Sequence, residues 1–176
     1  MKVIILATEA SGDFLGSELI KQLKKKKVEI FGVGGELMSS EGLQSWVPIK
    51  SFNAIGIYEV MIRIFKFIKI FRYIKKKIIE CKPDLVITID SPSFSYRIVQ
   101  KLQCLRPNTK FIHYVAPTVW AWKSYRAKVF SKLYDKIFTL FDFEPIYFSK
   151  FGLNAEFVGH QKFFKKKTKK NTKKII

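Results

Sequence analysis

Residues 3–27 read VIILATEASGDFLGSELIKQLKKKK, and the change of period inside this stretch decides the fold. Val3–Leu6 is a continuous apolar run that ends in the polar turn Thr8-Glu9-Ala10-Ser11-Gly12. Unbroken apolar runs of this length mark strands buried on both faces, as in a parallel sheet. From Asp13 to Lys27 the apolar residues Phe14, Leu15, Leu19, Ile20 and Leu23 recur at helical spacing. Strand, polar loop and helix together open a β-α-β unit.

The alternation continues along the chain. Val28–Val33 reads as a second strand stopping at Gly34-Gly35, and Tyr58–Cys81 as a long helix. Asp84–Ile89, Lys110–Val115, Lys136–Phe141 and Ala155–Val158 read as further strands. Between them, Pro92–Leu105, Ser124–Leu133 and Glu144–Lys150 read as helices. This order predicts an α/β fold with a doubly wound parallel sheet and no internal repeat. One domain is expected over residues 1–161. Residues 162–176 form a basic tail of lysines and threonines with no periodic apolar face, expected to be disordered.

Composition narrows the classes. With 176 residues, 48% of them hydrophobic, the chain is long enough to build a core without staples. Two cysteines and two histidines exclude a disulfide framework, a cysteine zinc site and a histidine metal cluster. The formal charge of +19 invites nucleic acid, an anionic membrane or a base-composition bias as its explanation. Of the 33 basic residues only 5 are arginine, the residue that recognises phosphate bidentately. Removing the eight lysines of the tail takes the charge from +19 to +11. No nucleic-acid partner is therefore expected. The five apolar residues Val3–Ala7 are too few for a secretory leader, and no stretch makes a membrane span. The expected location is cytoplasmic, or on a membrane from its cytoplasmic side.

In open parallel sheets ligands bind beyond the carboxyl ends of the strands, so the loops there carry the functional weight. In the first loop, Ser11 or Asp13 suits a helix cap, which leaves Glu9 unexplained. The dinucleotide glycine pattern is absent, with only Gly12 and Gly16 present, and Asp13 opposes a phosphate. The loop reads as a sugar-hydroxyl or structural loop. In the second loop, Ser91 before Pro92 makes a good helix start. Asp90 is then either a general base or an acceptor for the amides of a neighbouring loop. The third loop carries Trp120 and Trp122, either a packed lid or an aromatic wall for a sugar or acyl chain, with Arg126 placed to meet a phosphate. The fourth ends in Gly159-His160, where the histidine suits a structural role better than a catalytic one.

The helix from Tyr58 is the fifth feature. Val60, Met61, Ile64, Phe67, Ile68 and Phe71 fall within one arc of about 120°. Lys66, Lys69, Arg72, Lys76 and Lys77 lie mainly opposite, with Arg63 and Lys75 near the edges. Such a face belongs either to a core helix or to one lying in an anionic interface.

Five stretches occur in an order and spacing that resemble the lipid-A-disaccharide synthase family. They are Glu9–Asp13, Gly56–Val60, Ile89–Pro92, His113–Trp122 and Phe157–His160. The resemblance covers residues 1–161 and implies the Rossmann-like amino-terminal domain of a GT-B glycosyltransferase. It implies transfer from UDP-2,3-diacylglucosamine to 2,3-diacylglucosamine 1-phosphate (lipid X), releasing UDP, without metal or cofactor. It also implies a protein peripheral to the inner membrane of a Gram-negative bacterium. Asp90 matches the position of the general base. Glu9, Ser11, Gly12, Asp13, Trp120, Trp122, Arg126 and His160 are the expected substrate contacts. Val60, Met61, Ile64, Phe67, Ile68 and Phe71 form the expected membrane face. Ala116 stands where serine is usual, Gln161 where proline is usual, and Ser93-Phe94-Ser95 where Asp-Phe-Asn is more common. Family members are much longer, so this chain is expected to be the acceptor- and membrane-binding half, inactive alone, lacking a carboxy-terminal UDP-sugar domain. The chain is then expected to be either a truncated gene product or one piece of a split enzyme whose carboxy-terminal half is a separately encoded partner. The rival readings are a non-catalytic remnant and a basic module for membrane or nucleic acid.

Overall fold

A computed structural model describes residues 1–52 and 59–160, with side chains from Ile64 onward in the helix that begins at Glu59. The chain runs β1 (Lys2–Ala7), α1 (Ala10–Leu23), β2 (Glu29–Val33), α2 (Glu36–Ser40), α3 (Glu59–Cys81) and β3 (Leu85–Ile89). It continues through α4 (Pro92–Gln100), β4 (Lys110–Tyr114), α5 (Tyr125–Leu133), β5 (Lys136–Thr139), α6 (Pro145–Ser149) and β6 (Asn154–Phe157). The six strands form one all-parallel sheet in the order β2-β1-β3-β4-β5-β6. This is the Rossmann-like doubly wound sheet expected from the alternation of periods.

Side chains of one strand alternate between the two faces. Val3, Ile5 and Ala7 pack with Leu15 and Ile20 of α1 and Met38 of α2. Ile4 and Leu6 pack with Ile74 and Ile78 of α3 and with Ile98, Phe130 and Phe148 of α4, α5 and α6. Both faces of β1 are covered, which is why its sequence shows no polar alternation. The chain leaves β1 for β2 on one side and returns through α3 to β3 on the other. The winding reverses between these neighbours, so the crevice that such sheets use for ligands opens at their carboxyl ends.

Two local expectations change. Helix α1 begins at Ala10 rather than Asp13, so Ser11 and Asp13 lie inside it; Glu9 holds the cap position without a side-chain cap bond. Helix α2 and a one-turn 3₁₀ helix at Ile49–Phe52 have no sequence periodicity long enough to announce them. The tail expected to be disordered lies outside the described residues, as does Gly56-Ile57-Tyr58.

Helix α3 divides the apolar arc read from its sequence. Phe67 and Phe71 pack on the core, where their rings meet Phe94 edge-on at 6.4 and 6.0 Å between centroids, and Phe52 joins them. Ile64 and Ile68 remain exposed, together with Phe65. A shared helical arc could not separate these two groups, because the period records which residues share a side and not what lies across from them. The side chains of Val60 and Met61 lie outside the described residues. Among those residues, no helix is long and apolar enough to cross a membrane.

Candidate functional site

The end of β3 is bent sharply. Asp90 and Ser91 both have left-handed backbones, with φ of 55° and 44°. Aspartate tolerates this conformation through its short polar side chain, and Pro92 disfavours the right-handed region for Ser91. The bend is held from both sides: Asp90 N donates to Tyr114 O (2.9 Å), and Ser95 Oγ donates to Asp90 O (2.8 Å). It leaves the Asp90 carboxylate half-buried at the crevice. Its Oδ1 accepts from the Ser91 amide (2.8 Å) and its Oδ2 from Ser11 Oγ (2.7 Å).

Ser91 does not cap α4 with its hydroxyl, contrary to the sequence reading. In its left-handed conformation Ser91 Oγ instead accepts from Thr8 Oγ1 (2.8 Å) and donates to Glu9 Oε1 (2.5 Å). The loops after β1 and β3 are therefore tied by two bridges, Thr8–Ser91–Glu9 and Ser11–Asp90. Two carboxylates, Glu9 and Asp90, stand at the mouth of the crevice with oriented oxygens. This arrangement can accept hydrogen bonds from sugar hydroxyls and can take a proton from one of them.

Gly12 and Asp13 have other work. A Cβ at Gly12 would meet Ala7 Cβ and Ile89 O at 3.2 Å, so the absence of a side chain lets α1 approach the sheet. Asp13 is buried and turned to α2, where its carboxylate accepts from the amides of Gly35 (2.8 Å), Leu37 (3.0 Å) and Met38 (3.0 Å). A carboxylate on exposed first-turn amides is a cap, here reaching from one helix to another. Its oxygens are occupied by the fold.

The loop after β4 carries the aromatic residues. Val115 is left-handed (φ 75°), a strained state for a β-branched residue. Trp120 and Trp122 are 45% and 68% exposed, so neither is a closed lid over the sheet. Trp120 packs edge-on against Phe143 (5.4 Å between centroids), and its Nε1 lies 3.4 Å from Glu144 Oε1. Buried Glu144 also accepts from the amides of Leu140 and Phe141. Sequence reading passed over Glu144, since a glutamate at a helix start carries no signal of burial.

Two cavities of about 300 Å³ each meet at Pro92. One is lined by Thr8, Glu9 and Ser91 together with Phe52, Phe67 and Arg97. The other holds Trp122, Lys123 and Arg126. Arg126 Nη2 donates to Ser93 Oγ (3.1 Å). The structure thus brings Glu9, Ser11, Asp90, Trp122 and Arg126 to one end of the sheet. His160 follows β6, the strand at the edge of the sheet. It is partly buried and engaged. Phe52 and Arg97 escaped the sequence reading because they come from a 3₁₀ turn and the middle of α4.

A buried polar group lies beneath these loops. His113 Nδ1 lies 2.7 Å from Thr88 Oγ1, which lies 3.0 Å from Tyr134 Oη. Burial pushes the His113 pKa down to about 3, with the Val115 backbone opposing the shift, so the ring is neutral. Burial likewise raises that of Tyr134. Among the described residues, no three His, Cys, Asp or Glu side chains converge on a metal position.

A family model described as lipid-A-disaccharide synthetase matches residues 3–176. The chain belongs to this family. The lipid-A-disaccharide synthase of Rickettsia bellii (strain OSU 85-389) is 44% identical over 161 residues, which cover 90% of this chain and 42% of the relative. That of Rickettsia akari (strain Hartford) is 45% identical over 161 residues, covering 90% and 41%. That of Rickettsia prowazekii (strain Madrid E) is 42% identical over 172 residues, covering 94% and 45%. The chain spans less than half the length of these curated relatives. Its all-parallel Rossmann-like sheet agrees with the amino-terminal domain of a GT-B glycosyltransferase. Three of the stretches that carry the family resemblance, Glu9–Asp13, Ile89–Pro92 and His113–Trp122, meet at the carboxyl ends of β1, β3 and β4.

Proposed function

We propose that this chain supplies the acceptor-binding, base-bearing part of a lipid-A-disaccharide synthase. The reaction joins UDP-2,3-diacylglucosamine to 2,3-diacylglucosamine 1-phosphate, giving lipid A disaccharide 1-phosphate and UDP. The observation that carries this reading is Asp90: a half-buried carboxylate on a strained bend at the switch point of the sheet, oriented by Ser11. Asp90 takes the proton of the acceptor 6-hydroxyl as that oxygen bonds to the anomeric carbon of the donor, and the bond to UDP breaks with its electrons on the phosphate. Ser11 is a positioning residue. Glu9 receives sugar hydroxyls, and Trp120 and Trp122 form an apolar wall beside the crevice. UDP is held by a second Rossmann-like domain, from further sequence or from a separately encoded partner chain.

The exposed Ile64, Phe65 and Ile68 of α3, beside Lys66, Lys69 and Arg72, support a peripheral seat on the anionic cytoplasmic face of an inner membrane. The α3 cavity wall at Phe67 then lies next to the lipid from which a diacylated acceptor comes.

The test is a synthase assay on this chain alone and after addition of the carboxy-terminal half of a relative. No turnover alone and disaccharide formation after addition is the expected result. Disaccharide formed by this chain unaided, or none after a complex has demonstrably assembled, overturns the reading.

A further inference from the structure

The cavity on the far side of Pro92 differs in charge from its neighbour. Pro117, Thr118 and Trp122 line it with two cations, Lys123 and Arg126. Among the described residues neither cation is paired with a carboxylate. Arg126 Nη2 meets the Ser93 hydroxyl at 3.1 Å, and Lys123 Nζ lies 5.0 Å from the centroid of the Trp122 ring. Arg126 Nε is buried and has no hydrogen-bond partner among those residues. A guanidinium offers five N–H donors in a fixed fork, and those the cavity exposes can meet a bound oxygen. Lys123 holds a left-handed backbone (φ 54°), a conformation that glycine or asparagine adopts more easily. A lysine at that turn places its ammonium at the cavity at the expense of backbone strain.

We propose that this cavity binds a phosphomonoester, with Arg126, Lys123 and the Thr118 hydroxyl on the phosphate oxygens and Trp122 against the carbon skeleton that bears it. Two unpaired cations match a dianion, and the guanidinium fork suits phosphate geometry. The volume of about 300 Å³ leaves room for part of a sugar ring beside the phosphate. Assigning the phosphate to the acceptor sugar rests on the transferase reading above. Pro92 lines both cavities, so a sugar 1-phosphate anchored here extends its ring toward the Glu9 and Asp90 side.

The experiment titrates the full chain, at constant ionic strength, with glucosamine 1-phosphate, inorganic phosphate and uncharged N-acetylglucosamine. Tryptophan fluorescence is the readout, with Trp122→Phe identifying its source. Saturable binding of both phosphates, tighter for the sugar phosphate, and none of the neutral sugar is expected. Arg126→Gln is expected to weaken binding at least about tenfold, the loss of one charge-assisted contact. Lys123→Gly removes the second cation while easing the backbone, so it keeps the test open if Arg126→Gln misfolds; it is expected to weaken binding severalfold. No saturation with either phosphate, unchanged affinity in both variants, or equal binding of the neutral sugar overturns the site. Binding is read without donor or second domain, so the two readings fail separately. A chain that binds phosphate but supports no transfer when completed keeps the site and loses the transferase. A completed enzyme that transfers while the chain binds no phosphate loses the site alone.

Discussion

The first turn of α1 and the bend after β3 each carry an aspartate, and the two carboxylates have opposite occupations. Asp13 is buried, and its oxygens take three amides of α2. Asp90 is half-buried on a strained bend and, among the described residues, accepts from its neighbour's amide and from Ser11. The same residue type following two neighbouring strands is a structural cap in one place and an available acceptor in the other. What separates them is the environment: amides with no other acceptor surround Asp13, whereas the crevice keeps Asp90 in reach of a ligand.

Substitution at both sites is the direct way to break this contrast. Asp90→Asn in the completed enzyme is expected to lower transfer by about 10²–10⁴, the usual contribution of a general base, with folding unchanged. Activity above about a third of the wild-type rate removes Asp90 from that role. Asp13→Ala is expected to cost about 3 kcal/mol of stability, because three amides lose their acceptor, two of them buried. Urea denaturation measures it. A stable Asp13→Ala chain with impaired ligand binding would reverse the assignment.

His113 sharpens the contrast from below the loops, as a titratable group wholly enclosed by the fold. Unfolded, it takes a proton near pH 6.5; folded, not until about 3. Between those values the unfolded chain binds more protons, so stability rises with pH and falls on acidification through this window. The slope from this residue is about 1.4 kcal/mol per pH unit. His113→Phe, which leaves Thr88 and Tyr134 to bond each other, is expected to flatten that acid limb. An unchanged slope in denaturation at several pH values would mean that the ring is not held neutral.

The smallest expected effect separates the exposed and the core-packed sides of α3. Replacing Ile64, Phe65 and Ile68 with Ser is expected to change stability by under about 0.5 kcal/mol, as at other exposed positions. Sedimentation with anionic vesicles should fall in the same variant. Unfolding would place these residues in a core, and unchanged sedimentation would place the membrane contact elsewhere.

Much of the architecture is legible in the chain itself, because a strand buried on both faces cannot alternate and a packed helix must repeat near 3.6. Val3–Leu6 and Leu85–Ile89 announce the central strands for that reason, and the weight placed on Asp90 follows from its position just after one of them. The site was less legible. Ser11, Ser91 and Asp13 all look like helix caps, since a short polar side chain before an apolar period is the common signal for one. Which hydroxyl or carboxylate does what depended on partners 22 to 83 residues away, such as Gly35 for Asp13 and Thr8 for Ser91.

Local sequence, then, determined the period of each element, the parallel sheet and the loops at its carboxyl ends. Tertiary structure alone decided that Phe67 and Phe71 face protein while Ile64 and Ile68 face solvent. It alone brought Glu9 to Ser91 and set Arg126 and Lys123 in one cavity. The physical reason is range: backbone period and turn chemistry act between near neighbours along the chain. Burial, hydrogen-bond partnership and the charge of a cavity are set by which distant segments the fold places across from one another.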